Sequence, residues 1–137
     1  MEEKKPLSEM LSFKGKKVII TGAAAGIGRA IAERFAEGRA DLILLDIDKD
    51  RLFKVKECLK DKCKTKIYKA DLSQKKDIDK LWGKIKGEEI DILINNVGIF
   101  PSKDYLEIDE DFLTKNLNIN FNSVFLDVSK FYQKKKR

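Results

Sequence analysis

Histidine is absent from this 137-residue chain, and with it goes the commonest general base and a leading ligand of transition metals. Any acid–base chemistry has to use other side chains. Cysteine occurs only at Cys58 and Cys63, on what reads as one lysine-rich helix. Two thiols do not complete a zinc site, so both read as ordinary reduced cysteines and no metal is expected. Proline occurs twice and there is no low-complexity tract, which excludes collagen-like and disordered compositions. No apolar run approaches the roughly 20 residues that cross a bilayer, and the polar leader Met1-Glu2-Glu3-Lys4-Lys5-Pro6 has no hydrophobic signal core behind it. These absences predict a cytoplasmic protein with no membrane partner.

What is present is a globular balance of 42% apolar and 38% charged residues, in a chain long enough for one domain and too short for two. The formal charge is +6, of which Lys134, Lys135, Lys136 and Arg137 supply four. The tail therefore reads as a solvated charged terminus, and no specific nucleic-acid partner is expected.

Short β-branched runs alternate with longer segments of helical spacing, the pattern of βαβ units around a parallel sheet. Lys17–Ile20 is the first strand, and Ile27, Ala30, Ile31, Ala32 and Phe35 recur at helical spacing behind it. Asp41–Asp46 is the second strand, followed by a helix from about Asp48 to Asp61, with Asp48 available as its cap. The third strand is Lys66–Lys69, Ser73 is the expected N-cap of the next helix, and Ile90–Ile94 is the fourth strand. After a loop through Pro101, Leu117, Phe121, Val124, Phe125, Val128, Phe131 and Tyr132 fall on one face of a helix from about Asp109 to Tyr132. Residues 1–12 read as a polar extension and residues 13–137 as one continuous α/β unit.

The most informative stretch is Thr21-Gly22-Ala23-Ala24-Ala25-Gly26-Ile27-Gly28, between the first strand and the first helix. Without Cβ atoms the backbone turns tightly and lets a pyrophosphate approach the helix N-terminus, where free N–H groups and the dipole favour negative charge. A plain strand-to-helix turn is the alternative. Asp46 closes the second strand 18 residues after Gly28, near the ~20 at which an acid meets an adenosine ribose in dinucleotide-binding folds. A carboxylate there accepts from both ribose hydroxyls and repels a 2′-phosphate.

These residues resemble the short-chain dehydrogenase/reductase family, whose fingerprint is T-G-x-x-x-G-x-G. Asp71-Leu72 is similar to the family's adenine-contacting pair. Asn95-Asn96-Val97-Gly98 is similar to its N-N-A-G signature with Val97 for alanine, and Asn120 falls on the Asn of its catalytic tetrad. The resemblance implies a Rossmann-like parallel sheet with flanking helices, four strands in the order 3-2-1-4, truncated relative to the full family fold. It implies a nicotinamide dinucleotide held by Gly22, Ala25, Gly26, Ile27 and Gly28, by Asp46 and Ile47, by Asp71 and Leu72, and by Asn95, Val97 and Gly98. NAD is expected over NADP, because no basic residue occupies Ala24 or Ala25; Arg29 near the loop partly offsets the repulsion by Asp46. Asp71, Asn95, Asn96 and Asn120 each have a structural alternative as caps, turn formers or backbone-bonded amides.

Family members run to about twice this length, with a Ser and a Tyr-x-x-x-Lys a few dozen residues beyond the tetrad Asn, and this chain ends 17 residues after Asn120. Tyr132-Gln133-Lys134-Lys135-Lys136 fits Y-x-x-x-K because the tail is nearly all lysine; it continues the Asn120 helix instead of facing the nicotinamide from the next one, and is rejected. The resemblance therefore implies hydride transfer involving an alcohol or carbonyl substrate only when the remaining half is supplied, and an isolated chain without turnover. The fourth strand presents an unpaired edge and the last helix an uncovered apolar face, so a homo-oligomer, or association through these two elements, is expected. The competing readings are a non-enzymatic nucleotide-binding or assembly module and a nucleic-acid binder that uses the tail.

Overall fold

The structure, a computed structural model, describes residues 11–136, so nearly all of the expected N-terminal extension and Arg137 of the tail lie outside the described residues. Strands β1 (Lys17–Thr21), β2 (Asp41–Asp46), β3 (Thr65–Lys69) and β4 (Ile92–Ile94) form one parallel sheet in the order β3-β2-β1-β4. This is the order the alternating pattern predicts, because right-handed crossovers carry the chain outward and the fourth strand then returns beside the first. Between the strands lie α1 (Gly26–Glu37), α2 (Lys49–Leu59) and α3 (Lys75–Lys84). After β4 come a single 3-10 turn (Tyr105–Glu107), α4 (Glu110–Leu117), a π turn (Asn118–Asn122) and α5 (Ser123–Lys135).

Both sheet faces are covered, which is why the strands read as unbroken apolar runs. On one face Val18, Ile20, Leu42 and Leu44 pack with Ala32 and Ala36 of α1 and with Leu52, Val55 and Leu59 of α2. On the other, Ile19, Ile43 and Leu45 pack with Ile78, Leu81 and Trp82 of α3, flanked by Leu126 and Phe131 of α5. The alternation of Val18 and Ile20 against Ile19 is the strand period of two.

Four local expectations need correction. Ser73 does not cap α3. Its N–H and hydroxyl both donate to Asp71 Oδ1, at 2.9 and 2.7 Å, so Asp71 forms the turn and the helix starts two residues later behind Gln74. The fourth strand is Ile92–Ile94 rather than Ile90–Ile94, because Ile90 is buried against α3 and the Asp91 carboxylate accepts from Lys17 N at 2.9 Å. Helix α2 ends at Leu59, so Cys63 lies beyond it in the turn. The last helix turns its stripe outward: Leu117, Phe121, Phe125, Val128 and Tyr132 are exposed, whereas Phe131 belongs to the opposite, core-facing side.

Two further features shape the lower edge of the sheet. Glu88 bridges Lys17 of β1 and Lys66 of β3, and the two ammonium groups hold its carboxyl well below the usual range, at about 2. Lys134 is not a solvated tail lysine, since its Nζ donates to the carbonyls of Ile85 (2.9 Å) and Lys86 (2.5 Å) just past α3, and so caps that helix.

Candidate functional site

The sequence-predicted site residues gather at the carboxyl edge of the sheet, where β1, β2, β3 and β4 each pass into a loop. At the end of β1, Thr21 is fully buried. Its Oγ1 accepts from the backbone N–H of Asn96 (2.9 Å) and Val97 (3.0 Å). Asn96 returns the contact, its Nδ2 donating to the carbonyls of Thr21 (3.1 Å) and Gly22 (3.2 Å). A reciprocal staple therefore ties the glycine loop to the end of β4. The expected structural role of Asn96, satisfying backbone groups between strands, is the one its side chain takes; Thr21 had no separate role in the sequence reading, and the signal was a hydroxyl closing one central strand.

The three glycines divide by cause. A Cβ on Gly28 would lie 2.1 Å from the carbonyl oxygen of Gly22, and one on Gly22 would press on Asn96 and Val97 at 2.9 and 3.1 Å. Those two glycines serve the packing of α1 against the β1 and β4 ends. Gly22 adds a left-handed φ of +65°; Gly26, at φ +54°, differs in that a Cβ there would meet nothing within 4 Å. Its requirement is conformational, and it leaves open space before the first turn of α1.

That turn carries the clearest chemical signature. Asp48 caps α2, accepting from Arg51 N at 3.0 Å, and Asp109 caps α4, accepting from Phe112 N at 2.8 Å. Helix α1 has Ala25 at its N-cap, no side-chain cap and no acid in its first turn. The first intrahelical bond runs from Arg29 N to Ala25 O, so the N–H groups of Gly26, Ile27 and Gly28 precede the ladder and face the open space with the positive end of the helix dipole. This donor set is suited to an anion, in particular a pyrophosphate.

Asp46 is fixed beside the loop. Its Oδ2 accepts from Ala24 N and its Oδ1 from Asp48 N, both at 3.0 Å. A carboxylate has about four acceptor sites, so two such bonds orient the group and leave capacity for hydroxyl donors. Asp71 follows Ala70, whose N–H donates to Asp46 O at 3.0 Å. Leu72 is buried under that corner while Ile47 is exposed. On the β4 side, Asn95 Oδ1 is buried without a partner, a polar atom that a bound group can satisfy.

Asn120 lies in the π turn, and its side chain is a clamp: Oδ1 accepts from Ile99 N (2.8 Å) and Nδ2 donates to Ile99 O (2.7 Å). It thereby holds the strand extension beyond Gly98. The π turn was missed from sequence, although Asn at positions 118, 120 and 122 is an unusual density of weak helix formers.

Comparison with known proteins gives the same picture. Residues 16–137 match the family described as short chain dehydrogenase. The chain belongs to that family. It is 37% identical over 114 residues to a diacetyl reductase ((S)-acetoin forming) of Staphylococcus epidermidis, covering 80% of this chain and 44% of that protein. An NAD-dependent glycerol dehydrogenase of Listeria innocua is 34% identical over 129 residues, 85% of this chain and 49% of that one. Among solved structures, a short-chain dehydrogenase from Sphingobium yanoikuyae in complex with NADPH superposes with a TM-score of 0.80 at 29% identity, over 87% of this chain and 48% of that chain. The short-chain dehydrogenase chain described here thus spans about half the length of the relatives it matches.

Not every candidate joins the site. Tyr132, within α5, and Lys136, just past it, flank Lys134, which reaches the carbonyls of Ile85 and Lys86 at the amino edge of the sheet. That places them at the opposite edge from the glycine loop, and the structure brings neither to the crevice. Among the described residues, no cluster of three or more Cys, Asp or Glu side chains has metal-binding geometry, and no helix is long and apolar enough to cross a membrane.

Proposed function

We propose that residues 13–137 form the dinucleotide-binding half of an NAD(H)-preferring oxidoreductase acting on an alcohol or carbonyl compound. The observation that carries this reading is the Asp46 carboxylate, anchored to the glycine loop through Ala24 N–H beside an α1 N-terminus that has no cap of its own. The site residues fit the group: the N–H set of Gly26, Ile27 and Gly28 takes the pyrophosphate, Asp46 and Ile47 the adenosine ribose, and Asp71 and Leu72 the adenine. Asn95, Val97 and Gly98 close the crevice from β4. The nicotinamide, when bound, supplies the hydride-accepting or hydride-donating carbon. Asn120 is a positioning residue, setting the Gly98–Ile99 backbone along which the dinucleotide runs.

Asp46 favours NAD(H) because a 2′-phosphate placed beside it would meet a like charge. Arg29, in the first turns of α1, is drawn along the helix to Glu33, its Nε 2.9 Å from Oε1, which weakens its offset of that repulsion. A proton-transfer Tyr-Lys pair is absent from the crevice among the described residues, so the reading assigns that chemistry to residues outside this half. The exposed stripe of Leu117, Phe121, Phe125, Val128 and Tyr132 is the surface through which two copies associate.

The test is binding of NADH and NADPH by fluorescence titration to the chain and to Asp46→Ala. Tighter binding of NADH, with the preference reduced or reversed in the variant, is expected. Tighter NADPH binding by the unaltered chain, or an unchanged preference in the variant, overturns the assignment. Light scattering and an NAD-linked assay over an alcohol panel complete it: self-association without turnover is expected, and turnover abolished by Tyr132→Phe refutes the placement of the acid–base pair elsewhere.

A further inference from the structure

At the amino edge of the sheet, opposite the glycine loop, the turns before β1, β2 and β3 enclose an open basin of about 780 Å³. Its cations arrive from separate parts of the chain: Lys14 before β1, Arg39 from the α1–β2 turn, Lys56 from α2 and Lys60 just past its end, Lys62 and Lys64 leading into β3, and Lys66 within it. Asp41 and Asp61 are the only carboxylates on its lining. These seven cations exceed the two acids by five, in a chain whose whole formal charge is +6.

The same edge, Lys66 of the basin included, shows what this protein does with lysines that have a structural task. Lys16 pairs with Asp91 at 3.1 Å, Lys17 and Lys66 share Glu88, and Lys134 caps α3. In the basin, Lys60 has only a 3.8 Å contact to Glu57, and Lys14, Arg39, Lys56, Lys62 and Lys64 have no ion-pair partner among the described residues. Arg39 stands at φ +65°, the one left-handed residue other than glycine among those described. Glycine or asparagine suits that turn position better, so a guanidinium is placed over the basin at a conformational cost. Concentrated like charge without internal partners is a surface made for an external anion.

We propose that this basin binds the phosphate backbone of a nucleic-acid duplex, without reading its sequence. The lining holds no aromatic side chain, which excludes base stacking, and no large apolar one, which removes the means of inserting into a lipid surface. Flexible lysines meet phosphates as point charges and need no fixed bidentate geometry. The tail, by contrast, has its Lys134 committed to α3, so the basic footprint lies at residues distant in sequence and not at the terminus.

The experiment is fluorescence anisotropy of a labelled random-sequence DNA duplex titrated with the full chain between 50 and 200 mM salt. Roughly five phosphate contacts give a log–log salt slope of about −4.5 and a weakening of a few hundredfold across that range. Lys60→Glu/Lys62→Glu/Lys64→Glu, all three exposed, is expected to weaken binding at least tenfold and to flatten the slope by about three. Lys76→Glu/Lys80→Glu/Lys115→Glu carries the same charge change on the exposed surfaces of α3 and α4 and is expected to cost under threefold. Arg39→Gly, which relieves the left-handed strain and so keeps the fold, is expected to weaken binding threefold or more. Equal losses in the two triple variants, a flat salt dependence, or tighter binding of poly-glutamate than of the duplex overturns the proposal, the last in favour of an acidic protein partner. Urea midpoints of every variant establish that folding is retained, and no step requires bound dinucleotide.

Discussion

Replacing Asp127 by Asn removes a pH dependence that the packing of α5 on α3 imposes. Asp127 is 1% exposed. Its Oδ1 accepts from Trp82 Nε1 at 2.8 Å, while Oδ2 is buried with no partner. Burial pushes the carboxyl from an ordinary 3.8 up to about 6, and the Trp82 N–H recovers only part of the lost hydration. Because the folded value is raised, the stability this group contributes is fully present below pH 3.8 and is lost as the pH rises through about 6. Two pH units at 1.36 kcal/mol each make that loss about 3 kcal/mol, a large share of a typical 5–15 kcal/mol. Asp79 and Glu88, held near 2 by their lysine neighbours, are present in both proteins and cancel in the difference between them. Urea unfolding of both proteins at pH 4, 5, 6, 7 and 8 tests the reasoning: the stability difference, native minus Asp127→Asn, is expected to fall by about 3 kcal/mol between pH 4 and 7 and then level off. Trp82 is the only tryptophan, so its native-state fluorescence is expected to titrate near pH 6 in the original chain and to stay flat in the variant. A stability difference constant to about 0.5 kcal/mol, or a fluorescence midpoint near 4, refutes the argument.

Gly28→Ala is expected to cost about 3 kcal/mol and to abolish dinucleotide binding, since its Cβ would lie 2.1 Å from Gly22 O; calorimetry and NADH titration check both. Gly83→Ala, where a Cβ meets nothing within 4 Å, is expected instead to stabilise α3 by about 0.5–1 kcal/mol, read as a higher urea midpoint. Glu88→Gln removes a carboxylate whose depressed value contributes stability above its ordinary 4.5 that is lost as the pH falls toward 2. The variant is expected to be less stable at pH 7 and to show a shallower acid limb in urea unfolding at pH 7 and 3. Asn120→Ala frees the Ile99 backbone groups it clamps, and hydrogen exchange at the Ile99 amide is expected to accelerate at least tenfold.

The strand order and the placing of the glycine loop and Asp46 side by side at the carboxyl edge were legible in the sequence because each rests on local chemistry. A doubly buried strand has to be apolar throughout, a left-handed turn position favours glycine, and a parallel βαβ unit has one handedness. The Asp48 cap was legible for the same reason. Ser73 was misread because a hydroxyl before a helix satisfies the capping pattern whether it bonds the helix or the preceding aspartate. The outward stripe of α5 was legible as a stripe, but the assignment of Phe131 to it failed: at 3.6 residues per turn Phe131 lies about 120° around the helix from Phe125, on the flank of the stripe, and only the packing against α3 decides which side that flank joins.

What the sequence determined by itself is the fold and the list of residues at its carboxyl edge, since periodicity and glycine placement act between near neighbours in the chain. What only the tertiary structure decided is how distant groups are used. Thr21 and Asn96 are 75 positions apart and form one staple, Trp82 and Asp127 lie 45 apart and share one buried proton site, and Lys134 leaves an apparently free tail to cap a helix 49 positions before it. Seven cations scattered between Lys14 and Lys66 become one basin only when three turns meet. Burial and electrostatic interaction depend on distance through space, which the linear order of residues does not contain.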